Sequence, residues 1–498
     1  MNIPITNMEE RFPLVSVIVP VYNMQEFLAE TLDSIVESSY TKLEILIIDD
    51  GSQDQSVQIA QSYAQRDARI RLLTQANGGA CKARNHGIRE AKGTYILPLD
   101  SDDLILPWFI EEAVKVLEKE RDVKAVFSQG EFFGEKTGQW NVPDFNIHLL
   151  ARKNMLCISA LYRKEDWKRI GGYCEEMQAR EDWEFWMHML KDGGRVVRFP
   201  QVGLKYRIRK GSKRISDRQW KKAVVDTLNR RHPEFMEREL GGPLHYHRSA
   251  SRFLNKLYRL FHPRKVVVSA DFANTTYFVR ALNALFDYDG GTILHDKRNQ
   301  LRLFRFYNHE VIVKSYAIPN PLNRLVYGFL RKSKAQRSYE YAQMLRSHGI
   351  GSPEPVAWYT ERQGIFFSRS YYVCLKSELP YTYNDLMSDT LPQEAQERYL
   401  TAIAQTVARM HELGYLHRDL SRGNILFGKG DDGRVHVEII DLNRIRFRQV
   451  TPQMGCANLS ERLPATPWQR MVLGSAYATA RNLDADWCIQ QMQTSSSQ

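Results

Sequence analysis

Three carboxylates close a short apolar run in Tyr95-Ile-Leu-Pro-Leu-Asp100-Ser-Asp102-Asp103. Carboxylates this close repel one another unless a cation lies between them. A hard divalent ion takes oxygen ligands and commonly bridges to a phosphate. A buried strand that stops in acids puts them at the carboxyl edge of a sheet, where open α/β sheets bind ligands. Asp100-x-Asp102 therefore reads as a metal and diphosphate site, weighed against a plain solvated acidic turn. A second set lies far downstream: His417-Arg418-Asp419, Asn424 and, closing another apolar run, Asp441. H-x-D-x-x-x-x-N followed by such an acid is the spacing of a phosphotransfer site. Asp419 would accept or steer the proton of an acceptor hydroxyl, while Asn424 and Asp441 would hold Mg2+. No local spacing joins the two sets, so the chain reads as two catalytic modules in series.

The elements that must position the first set follow from periodicity. Residues 15–19 are a β-rich run closing on Pro20, and residues 24–37 carry apolar positions at helical spacing. A second buried strand, 43–48, ends in Asp49-Asp50-Gly51-Ser52. A helix over 53–68 and a strand over 70–73 follow. This alternation predicts right-handed βαβ units and an α/β, mainly parallel sheet. Asn77-Gly78-Gly79 is a turn, and a helix opening at Ala80 with Lys82 and Arg84 near its start suits a pyrophosphate. The plainer reading of that helix is a surface helix with ordinary basic residues. Glu181-Asp182 opens an apolar-aromatic helix, where acids also serve as ordinary N-terminal caps.

Val19-Pro20-Val21-Tyr22-Asn23, Ile48-Asp49-Asp50-Gly51-Ser52, Asn77-Gly78-Gly79…Arg84-Asn85-x-Gly87, Leu99-Asp100-Ser-Asp102-Asp103 and Arg180-Glu181-Asp182-Trp183 occur in order. Together they resemble the family 2 glycosyltransferases of the GT-A fold over roughly residues 14–215. The resemblance implies that Asp100 and Asp102 hold Mg2+ or Mn2+ and that Asp182 is the general base of an inverting transfer. It also implies that Pro20, Tyr22, Glu26, Asp50, Arg84 and Arg209 contact a nucleotide-diphosphate sugar. Arg207 and Arg209 are both candidates for the residue that closes over the diphosphate, and the sequence does not choose between them.

In the second module, residues 301–316 read as two strands around a Tyr-Asn-His turn, with Lys314 late in the second. Helices are predicted over 332–347, carrying Glu340, and over 392–412; residues 366–375 look strand-like. Lys314 would neutralise ATP phosphates and Glu340 would orient that lysine; a buried-stem lysine and a surface glutamate are the plainer alternatives. No Gly-rich loop precedes Lys314, Asp441-Leu-Asn443 stands where protein kinases have Asp-Phe-Gly, and no Ala-Pro-Glu follows. Val313-Lys314, Ser338-Tyr-Glu340, His417-Arg-Asp419…Asn424 and Ile440-Asp441-x-Asn443 resemble the lipopolysaccharide core kinases, the Kdo and heptose kinase group. That likeness implies an α+β, protein-kinase-like two-lobed domain using Mg2+ and ATP. The expected domains are 1–240, a basic amphipathic linker helix in 241–265, and 266–498.

Composition sets the outer limits. The 498 residues suffice for several domains, with 43% hydrophobic and 26% charged residues as in ordinary globular proteins. No apolar run reaches the roughly 18 residues of a membrane span, and Met1 to Glu10 lacks the features of a signal peptide. Six scattered cysteines fit a reducing cytoplasm. The net charge of +11 concentrates in residues 205–222, which hold nine Lys or Arg against the single acid Asp217. Such patches favour phosphate-bearing partners, and no nucleic-acid-binding motif accompanies them. Phe253, Leu254, Leu257 and Phe261 share one side of a basic helix, able to lie on an anionic membrane or, preferably, to pack between modules. The expectation is a bifunctional cell-envelope enzyme, cytoplasmic or peripheral at the inner membrane face, acting on a glycolipid or oligosaccharide acceptor. The alternatives are a glycosyltransferase with a non-catalytic kinase-like docking domain, and a protein kinase with a sugar-binding front half.

Overall fold

The computed structural model describes residues 12–140, 143–209, 219–306, 308–329, 331–388, 391–464 and 466–494. The expectations placed on Met1 to Glu10, on positions 210–218 of the basic run and on Tyr307 lie outside them. The chain forms two compact units, Met1–Asn255 and Lys256–Gln498.

In the first unit, β1 (Val15–Val21) and β2 (Leu43–Asp49) are buried at nearly every position. Strands covered on both faces read as continuous apolar runs, which is why they stand out in the sequence. β3 (Ile70–Thr74), β2, β1 and β4 (Tyr95–Pro98) lie in that order and are all parallel. Parallel pairing with Val21 opposite Asp49 and Ile18 opposite Pro98 brings three strand ends to one edge. That edge carries Tyr22, Asp49, Asp50 and Asp100 to Asp103. Beyond β4 the sheet changes direction. β8 (Leu161–Arg163) pairs antiparallel with β4, and β6 (Val123–Gly134), β9 (Arg195–Ile208) and the two-residue β5 (Leu104–Ile105) complete the row. β7 (Gly138–Trp140) pairs only with β6. The result is a mixed α/β sheet, a parallel half joined to a partly antiparallel half, the GT-A arrangement. The Ala80–Glu90 helix lies close on β1 and β2: a Cβ on Gly87 would stand 2.5 Å from Ile48 and 2.9 Å from Ile18.

The second unit begins with an antiparallel sheet of order β10-β14-β15-β13-β12-β11. Its strands are β10 (Arg264–Val268), β11 (Thr292–Asp296), β12 (Gln300–Phe306), β13 (His309–Ser315), β14 (Pro355–Gln363) and β15 (Phe366–Leu375). The Lys334–Ser347 helix packs against it, started by the Ser333 hydroxyl, which accepts from the Gln336 amide at 3.0 Å. A mainly helical part follows. Its long helix, Gln393–Glu412, buries Leu400, Ile403, Ala404, Val407 and Ala408 at helical spacing. Short strands β16 (Tyr381–Thr382), β17 (Tyr415–His417), β18 (Ile425–Lys429), β19 (Val435–Ile439) and β20 (Ile445–Phe447) frame the acids. This is a two-lobed, protein-kinase-like α+β domain.

The Ser251–Phe261 helix is held at its start by polar groups. Its buried positions are Ser251 and Asn255, and Asn255 donates to the carbonyls of Leu240 and Pro243 at 3.2 and 3.0 Å. Phe253, Leu257, Leu260 and Phe261 are exposed. Small polar groups anchor the helix, so its apolar side is not what holds it. Among the described residues no helix is long and apolar enough to cross a membrane. All six cysteines are buried free thiols.

Candidate functional site

At the carboxyl edge of the parallel strands, the loop after β1 is sewn to the loop after β2. Asn23 adopts φ +54°, and its side-chain oxygen accepts from the Gln53 amide at 2.8 Å. The Ser52, Asp54 and Ser56 side chains accept from the amides of Asn23, Gln25 and Met24. Tyr22 and Glu26 are exposed on this rim and Pro20 is half-buried in β1. Asp50 is buried, and its carboxylate accepts from the amides of Gly78 and Gly79 at 2.8 Å each and from Gln75 at 2.7 Å. It thereby fixes the turn in which Gly79 has φ +87°, a conformation glycine adopts without strain.

Arg84 is the pivot of the acidic set. Its guanidinium is buried and bridges Asp100 at 2.6 Å and Glu181 at 3.0 Å. Burial opposes its charge, but Asp100 and then Glu181 overcome this and hold its pKa well above the ordinary value. Asp102 pairs with Arg209 at 2.7 Å. Arg207 has other partners: its amide and Nε reach Asp103 and the Asp102 carbonyl, its guanidinium meets Glu30 at 2.5 Å, and it stacks on Phe133 at 4.2 Å. Of the two candidates, Arg209 is the one whose guanidinium meets the Asp102 carboxylate.

Burial and Asp100 raise the pKa of Asp102, with Arg209 opposing. Burial and its two acidic neighbours raise Asp103 further, and its Oδ2 has no partner. Asp100 and Asp102 are oxygen donors of the type a hard divalent cation takes, and among the described residues no group of three or more acids, histidines or cysteines stands ready to hold one. Asp182 is the second residue of the Glu181–Leu190 helix, which follows directly on Arg180, whose φ of +56° marks a strained entry of the sort that clusters at working sites. The Asn154 side-chain amide donates to its Oδ2 at 2.6 Å and the Trp183 amide to its Oδ1 at 2.8 Å. Burial first, then Glu181, pushes its pKa up to about 7, the range a general base needs.

Arg84→Met removes the shared partner of Asp100 and Glu181. Uncompensated carboxylates at a buried site cost about 3 kcal/mol. A lowered urea midpoint checks this, and Arg84→Lys restores little because an ammonium cannot span both acids as a guanidinium fork does.

In the second unit, a cleft of about 810 Å³ lies below the antiparallel sheet. Leu301, Ile312, Leu375, Leu426 and Ile440 give it apolar walls, and Lys314, Asn424 and Asp441 stand together among its polar groups. This combination suits a flat base with a charged tail. Asp441 takes φ +55°, and Lys314 meets its Oδ1 at 2.7 Å while the Asn443 amide donates to the same oxygen at 2.5 Å. Asn424 donates to the Asp419 carbonyl at 2.8 Å, which ties the two predicted acid positions together. The Asp419 carboxylate pairs with Arg444 at 3.0 Å and with Arg462.

The expected role of Glu340 in orienting Lys314 is corrected. Glu340 pairs with Lys332 at 2.8 Å and accepts from Gln336, one turn away, at 2.9 Å. Lys314 faces Asp441 because that carboxylate lies within its reach. Sequence reasoning missed Asn154, Arg444 and Arg462, which lie far along the chain from the acids they hold and belong to no motif. It also left open what replaces the glycine-rich loop. Lys297, Arg298 and Asn299, at the turn between β11 and β12, line the cleft.

Residues 16–180 match the family model described as glycosyl transferase family 2, and residues 321–463 match that of the lipopolysaccharide kinase (Kdo/WaaP) family. The chain is 50% identical over 93 residues to "Uncharacterized glycosyltransferase EpsJ" of Bacillus subtilis, covering 19% of this chain and 27% of that protein. It is 37% identical over 164 residues to "Glycosyltransferase GlyG" of Streptococcus pneumoniae, covering 31% of this chain and 52% of that one. The chain thus spans about half or less of these relatives' length. Among solved structures, WaaP in complex with acyl carrier protein aligns with 47% of this chain and 98% of its own at 16% identity and a TM-score of 0.34.

Proposed function

We propose that this chain, in which a glycosyl transferase family 2 region precedes a lipopolysaccharide kinase (Kdo/WaaP) family region, is a two-site glycoconjugate enzyme of the cell envelope. The first unit transfers a sugar, with inversion, from a nucleotide-diphosphate sugar. The second uses ATP to phosphorylate a sugar hydroxyl on a lipopolysaccharide-type glycolipid acceptor. The observation that carries the reading is Asp182: half-buried, held by Asn154, with its pKa pushed up to about 7 and electrostatically linked to the Arg84–Asp100 pair.

In the first unit, the Asp182 carboxylate takes the proton of the acceptor hydroxyl as its oxygen bonds to the anomeric carbon. The bond to the nucleoside diphosphate breaks and its electron pair leaves with the phosphate. Asp100 and Asp102 would hold Mg2+ or Mn2+, which neutralises charge growing on the leaving group. Arg209 supplies a fixed positive charge beside them. Asp50 shapes the glycine turn bordering the nucleotide, while Pro20, Tyr22 and Glu26 line the cleft. In the second unit, Asp419 orients the acceptor hydroxyl and receives its proton as the oxygen bonds to the γ-phosphorus and ADP leaves. Asn424 and Asp441 would hold Mg2+, whose chemistry is charge neutralisation across the phosphates. Lys314 exchanges Asp441 for phosphate when the nucleotide enters.

One observation favours a second reading. With Lys314 on Asp441 and Glu340 turned to Lys332, the second unit has the look of a docking domain that binds without phosphorylating. Turnover of ATP separates the two.

A thermal-shift panel tests the whole assignment. A nucleotide-diphosphate sugar with Mn2+ and ATP with Mg2+ each raise the melting temperature. Ligand at about 100 times its Kd contributes about 2.7 kcal/mol. Asp102→Asn removes the first response and Asp441→Asn the second. Silence of the wild-type chain toward every nucleotide sugar would sink the transferase reading.

A further inference from the structure

We propose that the turn between β11 and β12 and the start of the Lys334–Ser347 helix form a clamp for the triphosphate of ATP. In it, the side-chain cations of Lys297, Arg298 and Lys334 replace the backbone amides of a glycine-rich loop. The proposal rests on the nucleotide-binding reading of the second unit and deepens it.

Lys297 and Arg298 line the same cleft as Lys314, Asn424 and Asp441. The turn is shaped by its own side chains: Asp296 accepts from Gln300 at 2.9 Å, and Asn299 accepts from the Ala317 amide at 3.2 Å. Asp296, the acid of the turn, therefore points its hydrogen bonding to Gln300 and makes no ion pair with Lys297 or Arg298. Both basic side chains are exposed, and among the described residues neither they nor Lys334 has a carboxylate partner within ion-pair distance.

Lys334, at the start of the Lys334–Ser347 helix, stands near the Tyr316 ring, which lines the cleft. Its ammonium lies 6.0 Å from the ring of Tyr316, and the Lys314 ammonium lies 5.5 Å from that same buried ring. Two ammonium groups thus share one aromatic ring at the cleft. The site is crowded with cations in other directions too. Burial lowers the pKa of Lys334, and Arg298, Arg444 and Arg337 lower it further, while Asp441 opposes them. Asp441 itself is taken by Lys314. Lys314 and Arg444 have Asp441 and Asp419, but Lys297, Arg298 and Lys334 have no carboxylate partner among the described residues, and an anion entering there satisfies them. A triphosphate beside Lys314 is the anion that fits the cleft's apolar slot and charged rim together. Long flexible cations reach phosphate oxygens that a glycine loop reaches with amides, and charge-assisted bonds make up for the loss of amide geometry.

Calorimetric titration of the full chain with MgATP and, separately, with adenosine tests the clamp. The variants are Lys297→Gly with Arg298→Gly, which makes the turn glycine-rich, and Lys334→Met. The affinity for MgATP falls roughly tenfold for each cation removed, adenosine binds as to wild type, and the salt dependence of MgATP binding weakens. Both variants binding MgATP like wild type overturns the clamp and leaves the ATP reading standing. An equal loss for adenosine also overturns it, because the cleft's shape and not its charge is then at fault. A wild-type chain that does not bind MgATP overturns clamp and reading together.

Discussion

Replacing Asp182 with Asn slows glycosyl transfer by about 10²–10⁴-fold, the usual contribution of a positioned general base. Asn keeps the volume and can still accept from the Trp183 amide through its carbonyl oxygen; only the hydrogen bond from Asn154 is lost, so the fold and the donor site survive. Binding of the nucleotide-diphosphate sugar is unchanged while turnover collapses. That pattern marks a group that acts in the transition state and not in the ground state. The pH profile gives the same residue a second signature. The carboxylate is the working form, and its pKa is pushed up to about 7 by burial and by Glu181. Wild-type kcat/KM therefore falls about tenfold per pH unit below that value and levels off above it. Asp182→Asn abolishes the step. Release of nucleoside diphosphate, followed from pH 5 to 9, measures both. A variant with wild-type turnover and an unaltered profile would remove Asp182 from the chemistry.

Asp441→Asn stops phosphate transfer, by on the order of 10³-fold, because on the proposed reading the acid just after β19 would hold Mg2+ in the cleft. It also frees Lys314 from its 2.7 Å ion pair. The two effects separate by ligand. Binding of ATP without metal tightens or holds, since Lys314 becomes available to phosphate. Binding that depends on Mg2+ is lost. Formation of ADP in the presence of an oligosaccharide or glycolipid acceptor, together with ATP titrations with and without Mg2+, reads this out. Unaltered ADP formation in Asp441→Asn would remove Asp441 from the chemistry, and a wild-type chain that binds ATP but forms no ADP would move the reading to a docking domain.

Much of the parallel half of the first unit is legible in the sequence, because strands buried on both faces must be continuously apolar and must stop where the sheet edge meets solvent. The acids at 49–50 and 100–103 are visible for the same reason. The antiparallel half is not. β5, β7 and β8 are two or three residues long, too short to show a period of two. The first helix is predicted over 24–37 but runs Leu28–Val36. The preceding amides are bound by Ser52, Asp54 and Ser56, a contact across the chain that no local pattern displays.

In the sites, residue types are legible and their pairings are not. Arg84 is picked out by its place at a helix start, yet its bridge to Glu181 crosses 97 positions. Asp419, Asn424 and Asp441 are set by spacing, whereas Arg444 and Arg462 come to Asp419 through tertiary packing. Glu340 shows the limit most clearly. Its position matches a kinase-like motif, but its carboxylate takes the nearer cation, Lys332.

The central claim is that two separate acid sets run two separate reactions. Its most direct test is a crossed assay of the full chain, measuring nucleoside diphosphate released from a nucleotide sugar and ADP released from ATP in wild type, Asp182→Asn and Asp441→Asn. The account predicts that Asp182→Asn removes the first activity and keeps the second, and that Asp441→Asn does the reverse. Loss of both activities in either variant, or of neither in both, would contradict it.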